Sequence, residues 1–335
     1  MKIGINGLGR IGRCLIRAIY ENELLYKQKI ELSALNGSTS SETHAHLIQY
    51  DSVHGRFPYN VESEEGYIII NDQRIPLSME KEPKSIFWEK YNVDIVLECT
   101  GKFNKKSLAE QHINSTVKKV LVSAPMQDSD ITIVYGVNNE MLKKEHNIIS
   151  AGSCTTNCIA PILKIMNDTI GIKSGFITTI HSYTNDQNLV DNNHKDLRRA
   201  RACMMSIIPT TTGATKTIDL IIPELKGKLN GTAVRVPTPN VSMIDLVFNS
   251  IKSTTANEIN NIIKNLSQNS KVINITDKKL VSIDFCHSTY SSIVDANETY
   301  VTNNNLCRIA AWYDNEWAFA MRMLDIVSLL SENYI

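Results

Sequence analysis

Short apolar runs alternate with stretches of helical spacing over the first 150 residues of the chain. The runs are KIGIN, IELSALN, YIII, DIVLEC, KKVLV, ITIVYGV and NIIS. Strands that alternate with helices in this way pair into a mostly parallel sheet with helices on its faces. The pattern therefore predicts an α/β domain over residues 1–152.

The hydrophobic pattern changes after residue 153. A helix is predicted at 155–167 from apolar residues at helical spacing, namely Ile159, Ile162, Leu163 and Met166. Pro161 lies inside that pattern, so we expect a kink or a tight first turn there. Longer apolar runs follow and are predicted to be strands: GFITTIH, TAVRV, VSMIDLVF, LVSIDF and CRIAAWY. Together they indicate a second, mixed-sheet α+β domain over residues 153–315.

Two further segments complete the predicted organisation. From Glu316 onward, one helical face carries the apolar residues Trp317, Ala320, Met321, Leu324 and Val327. We expect this helix, residues 316–335, to pack back onto the first domain. Between Ser182 and Arg201 the chain is too rich in Asn and Asp for a core element, and loops of that length are usually functional.

Composition and charge narrow the function classes. The 335 residues suffice for two domains, and 35 Lys plus Arg balance 35 Asp plus Glu, which argues against a nucleic-acid-coating protein. No apolar run approaches membrane-spanning length, and MKIGINGLGRIG enters a strand without a signal-peptide core. The seven dispersed cysteines are typical of reduced thiols. We expect a cytoplasmic protein whose primary partner is neither membrane nor nucleic acid.

Three glycines mark a candidate nucleotide site near the N-terminus. Gly7, Gly9 and Gly12 spell G-x-G-x-x-G directly after the strand KIGIN and open the helix RIGRCLIRAIY. Residues without Cβ atoms let the amides at a helix start approach a pyrophosphate. In this strand-to-helix context the motif predicts a Rossmann-type dinucleotide site. The alternative is a tight turn that binds no ligand.

The tip of the second strand bears on which dinucleotide is used. A Rossmann fold predicts an acid there, to hold the ribose 2′-hydroxyl. Here the tip is Asn36, followed by Gly37, Ser38, Thr39, Ser40 and Ser41, and Glu42 falls in the next helix. Without a carboxylate nothing repels a 2′-phosphate, and hydroxyls can donate to it, so NADP or dual use is predicted over strict NAD use. The serines also suit a helix cap near 41–50, and both roles are compatible.

Two cysteines four positions apart raise three possibilities in SAGSCTTNCIAP: a metal site, a disulfide or one reactive thiol. A structural zinc site needs a second ligand pair at matching spacing, and none follows Cys154 and Cys158. A disulfide across one helical turn would constrain little of the fold. The remaining hypothesis is a nucleophile at Cys154, where helix-start amides lower a thiol pKa. His181, at the end of GFITTIH, is the candidate base.

Six segments together resemble the phosphorylating glyceraldehyde-3-phosphate dehydrogenases: SAGSCTTNCIAP, HSYTNDQ, HKDLRRARA, IIPTTTGATK, RVPTPNVS and WYDNEW. The resemblance runs in order from Gly4 to about Asp325. It implies that Cys154 attacks the aldehyde of glyceraldehyde 3-phosphate and that His181 is base and then acid. Hydride passes to NAD or NADP, and inorganic phosphate releases 1,3-bisphosphoglycerate from the thioester, in glycolysis or gluconeogenesis.

The resemblance also implies the residues that hold two phosphates and the cofactor. Around the cofactor-side phosphate it places Thr184, Asp186 and Arg235, with Arg199 near both positions. The attacking-phosphate position is lined by Ser153, Thr155, Thr212 and Gly213. The last pair opens a predicted helix, which is an anion site on physical grounds as well. The implied cofactor residues are Gly7, Gly9, Arg10, Ile11, Gly12, Asn36, Gly37, Ser38, Ser123 and Asn315.

Departures from the family pattern support the cofactor prediction. Strictly NAD-dependent members carry Asp at the position of Gly37 and Leu-Pro at the positions of Asn192 and Asn193. In those members the Leu-Pro pair of a neighbouring subunit sterically excludes a 2′-phosphate. This chain has neither the Asp nor the Leu-Pro pair. The segment NGSTSSETHAHLIQYDSVHGRF is similar to the NADP-preferring, gluconeogenic-type bacterial members. Ala318 and Phe319 replace a usual Gly-Tyr.

Two competing hypotheses remain beside this one. Erythrose-4-phosphate dehydrogenase shares the nucleophile motif but usually lacks SYTNDQ and TTTGATK, which are present here. A surface or RNA-interacting protein with vestigial catalysis is disfavoured by the zero net charge and the filled catalytic positions. The family also implies a homotetramer, with Ser182–Arg201 as the inter-subunit loop.

Overall fold

The chain forms two units in the computed structural model, which describes residues 1–22 and 30–333. One unit consists of the residues up to Ser153 together with those from Phe319 onward, and the other is Cys154–Ala318. The described helices are α1 (Arg10–Glu21), α2 (Ser41–Gln49), α3 (Lys106–Ala109), α4 (Cys154–Thr169), α5 (Ala214–Ile221), α6 (Ala256–Ser267) and α7 (Trp317–Asn333). No helix in this part of the chain is both long and apolar enough to cross a membrane.

The first unit is built on a mainly parallel sheet. Its strands are β1 (Lys2–Asn6), β2 (Glu31–Asn36), β3 (Tyr50–Asp51), β4 (Gly55–Arg56), β5 (Val61–Glu64), β6 (Tyr67–Ile70), β7 (Gln73–Ser78), β8 (Ile95–Glu98), β9 (Lys119–Val122), β10 (Ile131–Thr132) and β11 (Ile148–Ser150). They are ordered β10-β11-β9-β8-β1-β2-β7-β6-β5, with β3 and β4 as a separate hairpin. Pairing is parallel from β10 to β7 and antiparallel at β6 and β5.

The sheet order places the ends of three strands together. Asn6 at the end of β1 pairs in register with Asn36 of β2 on one side and with Glu98 of β8 on the other. The chain leaves β1 toward β2 and returns later on the opposite side, so β1 lies at the point where the strand order reverses. Ligands of open parallel sheets bind at that point, beyond the carboxyl ends of the strands.

The second unit is built on a mixed sheet. Its strands are β12 (Ile172–Ser182), β13 (Ile208–Thr210), β14 (Leu229–Val236), β15 (Ser242–Ser250), β16 (Ile273–Thr276), β17 (Ser292–Asp295), β18 (Tyr300–Thr302) and β19 (Leu306–Tyr313). They are ordered β13-β14-β12-β15-β19-β17-β16, and β18 also pairs with β19. The pairs β12–β14 and β16–β17 are parallel, whereas β12–β15 and β15–β19 are antiparallel. The predicted fold class, a Rossmann-type α/β domain with a mixed-sheet α+β domain, is confirmed.

One predicted strand is wrong, because LVSIDF contains a 3-10 helix at Ser282–Phe285. The alternation of Val281, Ile283 and Phe285 resembles a strand, but only Phe285 is buried, and Val281 and Ile283 are 60% and 69% exposed. The Asp284 carboxylate accepts the Val281 N–H at 2.9 Å. This local bond closes a turn in competition with strand pairing.

Two helices differ in detail from their predicted form. Helix α4 runs from Cys154 to Thr169 with Pro161 inside it, so the proline does not lie in a tight first turn. All five residues of the predicted apolar face of α7 are buried, but Phe319, Met323 and Ile326 are buried as well. A helix that is apolar on nearly all sides belongs to the interior of a protein.

The remaining short helices are of the 3-10 type. Those of the first unit are Pro83–Ser85, Trp88–Tyr91, Glu110–His112 and Asn139–Met141. Those of the second unit, besides Ser282–Phe285, are Cys203–Met205, Pro223–Leu225 and Ala296–Glu298.

Candidate active site

Cys154 and His181 come together although 27 positions separate them in the chain. Cys154 is the first residue of α4, and His181 is the penultimate residue of β12. The Cys154 Sγ lies 3.5 Å from the His181 Nε2. A nucleophile in contact with an imidazole is the arrangement that covalent catalysis requires.

The second ring nitrogen of His181 lies between a hydrogen-bond acceptor and a hydrogen-bond donor. Nδ1 lies 2.7 Å from the backbone oxygen of Ser182 and 2.6 Å from Nη1 of Arg235. The carbonyl can only accept and the guanidinium can only donate, so Nδ1 can satisfy one of them but not both. The carbonyl favours the tautomer that leaves Nε2 free to accept a proton from Cys154, and Arg235 favours the other tautomer.

Burial dominates the titration of both groups. It raises the pKa of the Cys154 thiol, and the opposing effects of Arg235 and of hydrogen bonds from Thr155 are smaller. The backbone amides at the helix start do lower this pKa, as predicted, but burial outweighs them and the net shift is upward. Burial, and after it the charge of Arg235, lowers the pKa of His181 to about 3. The pair is thus a thiol and a neutral imidazole near pH 7, so the unprotonated ring nitrogen can accept a proton.

Beneath the pair lies a cluster of three buried hydroxyl groups. The Tyr313 hydroxyl is 3.0 Å from the Thr155 Oγ1 and 2.8 Å from the Thr179 Oγ1. The Tyr313 ring also meets the His181 ring edge-on, with 5.9 Å between ring centroids. Burial raises the pKa of Tyr313, so its hydroxyl stays protonated. The cluster holds the first turn of α4 against β12 and β19.

The predicted phosphate residues form a charged group beside the pair. Arg235 lies on β14, in register with His181, and its Nε has no partner among the described residues. Arg199 pairs with Asp186, and its Nε donates to the Thr210 Oγ1 at 2.9 Å. The charges of Arg199 and Asp186 both act on the pKa of Arg235.

The other predicted phosphate residues are less closely connected to this group. The Thr184 N–H donates to the Gln187 Oε1 at 2.9 Å. Thr212 and Gly213 lead into α5, of which Gly213 is the N-cap. The Thr155 hydroxyl is hydrogen-bonded to the Tyr313 hydroxyl. Ser153 is the last residue of the first unit.

Asn315 is held in one orientation by two serines. Its Oδ1 accepts hydrogen bonds from the hydroxyl groups of Ser182 and Ser242, both at 2.8 Å. The side-chain oxygen is therefore the acceptor of both, and Nδ2 is left as the donating end of the amide. Ser182 directly follows His181, so the second unit holds Asn315 close to the Cys154–His181 pair.

The glycine turn of the first unit fits a dinucleotide. Gly7 has φ +96°, and a Cβ on Gly12 would lie 2.1 Å from the Gly7 oxygen, so neither position accepts another residue without rearrangement. A Cβ on Gly9 would meet no atom within 4 Å, and Gly9 caps α1 without a side-chain hydrogen bond. The amides at the start of α1 therefore border open space that suits a pyrophosphate.

The neighbours of this turn are fixed by ion pairs and hydrogen bonds. Arg10 opens α1, and its Nη2 donates to Oδ1 of the half-buried Asp51 at 3.0 Å. Ile11 follows in the same turn. The Asn36 amide is used within the unit, since Nδ2 donates to Asn6 at 2.8 Å and Oδ1 accepts from Ser78. Gly37 is buried and Ser38 is exposed. The Ser123 N–H donates to the backbone oxygen of Glu98 at 3.0 Å.

Comparisons with known proteins cover nearly the whole chain. Residues 153–315 match the model of the glyceraldehyde 3-phosphate dehydrogenase C-terminal domain, and residues 1–106 match that of the NAD binding domain. The chain is 46% identical over 330 residues to glyceraldehyde-3-phosphate dehydrogenase 2 of Bacillus subtilis (strain 168), covering 98% of this chain and 96% of the relative. It is 49% identical to glyceraldehyde-3-phosphate dehydrogenase of Xanthobacter flavus, covering 97% of both.

The chain belongs to the glyceraldehyde-3-phosphate dehydrogenase family. The resemblance expected from the six sequence segments is thereby confirmed. The NAD-binding family model lies on the first unit, where the glycine turn is, so this family member binds a nicotinamide dinucleotide.

Sequence reasoning about this family member missed two groups of residues. Tyr313 and Thr179 form the hydroxyl cluster next to the Cys154–His181 pair, and the available sequence signal was the tyrosine within WYDNEW. Glu98 and His112 are buried beside Asn6, whose Nδ2 donates to the Glu98 Oε2 at 2.6 Å. A polar residue that ends an otherwise apolar strand, as Glu98 ends β8, would have been the signal for this second group.

Proposed function

We propose that the protein catalyses the phosphorylating oxidation of D-glyceraldehyde 3-phosphate to 1,3-bisphosphoglycerate, and the reverse reaction. The observation that carries this proposal is the 3.5 Å contact between the Cys154 Sγ at a helix start and the His181 Nε2. The printed names of the similar bacterial proteins support the choice of substrate.

Cys154 adds to the aldehyde while His181 takes the thiol proton and passes it to the developing oxyanion, which gives a thiohemiacetal and leaves the imidazole neutral. This step needs Nε2 as acceptor, so Nδ1 carries its proton toward the Ser182 oxygen. Arg235 then has to turn its guanidinium away from Nδ1, and a substrate phosphate is the anion toward which it would turn. His181 next removes the hydroxyl proton of the thiohemiacetal. The bound dinucleotide supplies the acceptor for the hydride.

The second half of the reaction needs an anion held close to the thioester. Inorganic phosphate attacks the acyl carbon, and Cys154 leaves with the proton stored on His181. We assign Thr184, Asp186, Arg199 and Arg235 to the phosphate of the triose, and Ser153, Thr155, Thr212 and Gly213 to the attacking phosphate. The charged group around Arg235 supports the first assignment. The Gly213 cap of α5 supports the second.

The cofactor is proposed to be NADP or either dinucleotide. Gly7, Gly9, Arg10, Ile11 and Gly12 would hold the pyrophosphate, and Asn36, Gly37 and Ser38 the adenosine ribose. Ser123 and Asn315 would meet the nicotinamide side. Exposed Ser38 and the absence of an acid at the tip of β2 support this choice. A kcat/KM for NAD more than about a hundredfold above that for NADP, about 2.7 kcal/mol, would contradict it.

Domain roles, assembly and location complete the proposal. Residues 1–152 with 316–335 form the NAD(P)-binding domain and 153–315 the catalytic domain. A homotetramer is supported by exposed apolar residues in and near the 182–201 loop, such as Leu197 at 84% and Met205 at 87% exposure, and light scattering would test it. None of the seven cysteines forms a disulfide, which suits the cytoplasm.

The decisive experiment is the substitution Cys154→Ser. We expect kcat to fall by at least about 10⁴-fold because the hydroxyl is a far weaker nucleophile in this pocket. The buried neighbour offers a matched control, since Cys158→Ala removes a thiol one helical turn away and should keep activity. Activity that survives in Cys154→Ser would remove the nucleophile assignment.

The same assay distinguishes the sister reaction. Initial rates on glyceraldehyde 3-phosphate and erythrose 4-phosphate are compared with and without inorganic phosphate. The proposal requires faster oxidation of the triose phosphate and dependence on added phosphate. Faster oxidation of erythrose 4-phosphate would assign the protein to the erythrose-4-phosphate dehydrogenases instead.

A further inference from the structure

His44 is a buried side chain without hydrogen-bond partners. It lies in the first turn of α2 and is only 4% exposed. Both of its ring nitrogens are buried, and neither has a partner among the described residues. A neutral imidazole has one donor and one acceptor, and leaving a buried polar group unpaired is unfavourable. An unpaired buried group of this kind in a native fold calls for an explanation, and a ligand contact is one.

The imidazole occupies the space of the missing side chain at position 37. A Cβ built on Gly37 would lie 2.3 Å from the His44 Nε2 and 2.8 Å from its Cδ2. Real Cβ atoms do not approach other atoms so closely, so a side chain at position 37 would require the ring to shift. The ring of His44 therefore stands where the side chain of residue 37 would begin, although it comes from the neighbouring helix.

Position 37 is where a Rossmann fold usually carries the residue that contacts the adenosine ribose. It follows β2 directly, and an acid at the end of this strand accepts a hydrogen bond from the 2′-hydroxyl. Here the Nε2 of His44 lies beside that position, and an imidazole nitrogen can donate a hydrogen bond where the usual carboxylate can only accept one. A 2′-phosphate offers only acceptors and negative charge, and therefore suits this donor better than a 2′-hydroxyl does.

The surroundings of His44 also favour an anion. The positive charge of Arg13 on α1 acts directly on His44. The start of α2 is capped by Ser40, whose hydroxyl accepts the Thr43 N–H at 3.3 Å, and the positive end of the helix dipole lies there. No carboxylate is among the groups that act on the titration of His44.

We propose that His44 is a specificity-determining residue that reads the 2′-substituent of the adenosine ribose and favours a 2′-phosphate. Gly37 and His44 act together. The glycine has no side chain and so leaves space for the His44 ring, and the ring occupies the space that an acidic side chain at position 37 would need. The inference rests on the proposed dinucleotide chemistry and deepens its cofactor preference.

The test measures dissociation constants of NAD and NADP for the full-length protein by calorimetry, without turnover. In His44→Leu we expect NADP binding to weaken at least about tenfold, because a hydrogen bond to a charged group is lost. NAD binding should change by less than about threefold. His46→Leu is the matched control, because His46 is an exposed histidine on the same helix, and it should leave both constants unchanged.

A purely structural role for His44 makes a different prediction. If the ring only filled space, His44→Leu would weaken both dinucleotides alike or lower the thermal midpoint. Our proposal expects an unchanged or higher midpoint, because leucine removes two unpaired buried polar atoms. His44→Gln, which keeps a donor, should retain most of the NADP preference. An unchanged ratio of the two dissociation constants in His44→Leu would overturn the proposal.

The coupling of the two positions is tested by a double-mutant cycle. Gly37→Asp alone should lower the thermal midpoint, because its Cβ meets the ring. Gly37→Asp with His44→Leu should recover the midpoint and bind NAD in strong preference to NADP. Additive effects of the two changes would contradict this joint action. A wild-type protein that oxidises the triose phosphate but binds only NAD refutes the cofactor preference and this inference, whereas one that binds neither dinucleotide refutes the proposed function itself.

Discussion

His181 in the second unit and His44 in the first are alike in electrostatics and different in partners. Both are buried, and in both the pKa lies below its ordinary value because of burial first and a nearby arginine second. The His181 nitrogens contact Cys154 and the Ser182 oxygen, whereas those of His44 have no partner among the described residues. A lowered pKa therefore does not distinguish the two histidines, whereas contact with a thiol does.

The largest effect that separates the two histidines should be on kcat. His181→Asn removes the base beside Cys154, and we expect kcat to fall by about 10²–10⁴-fold. His46→Leu, which changes an exposed histidine, should leave kcat unchanged. Steady-state rates with saturating triose phosphate, phosphate and dinucleotide provide the measurement. A loss below about tenfold would mean that the 3.5 Å contact with Cys154 is not the proton-transfer contact.

A feature that the two histidines share should appear in the pH dependence of stability. A histidine whose pKa is lower in the folded state contributes its full stability above the unfolded pKa near 6.5 and loses it as the pH falls. With a folded pKa of about 3, His181 should lower the free energy of unfolding by about 2 kcal/mol between pH 7 and pH 5. His44 contributes with the same sign.

Urea unfolding at a series of pH values measures this loss. The slope between pH 7 and pH 5 should be flatter in His181→Asn than in the wild type, whereas His46→Leu should keep the wild-type slope. If His181→Asn kept the full slope, the imidazole would have to be solvated in the folded protein, in conflict with its burial.

The smallest expected effect concerns the support of His181, which His44 lacks. Tyr313→Phe keeps the ring against His181 but leaves the hydroxyls of Thr155 and Thr179 without their common partner. We expect the free energy of unfolding to fall by about 1–2 kcal/mol, while the pH at which kcat is half-maximal stays the same. Thermal unfolding and a pH–rate profile test the two parts. Unchanged stability would show that water replaces the hydroxyl.

The contact between Cys154 and His181 was predictable because both residues lie at the ends of regular elements. A cysteine at a helix start and a histidine at a strand end can be located from periodicity, and the structure brings them to 3.5 Å. Tyr313 and His44 could not be found in that way, because their significance lies in contacts that only the fold shows, with Thr155 and with the position of Gly37 respectively. The LVSIDF segment failed for a related reason: alternation predicts a strand only if a partner strand covers one face, and Val281 and Ile283 remain exposed.

Helix α7 has a consequence for how the protein is made. From Phe319 onward it belongs to the first unit, and within that unit the Met321 sulfur accepts a hydrogen bond from the Asn22 Nδ2 at 3.6 Å. During synthesis, the ribosome must complete the entire second unit before this helix emerges. The strands of the first unit are translated early, but the apolar surface that α7 covers in this unit stays exposed until α7 is made. Chaperone binding to nascent chains should accordingly persist until α7 is released. A stop codon just before α7 should give a truncated protein that aggregates.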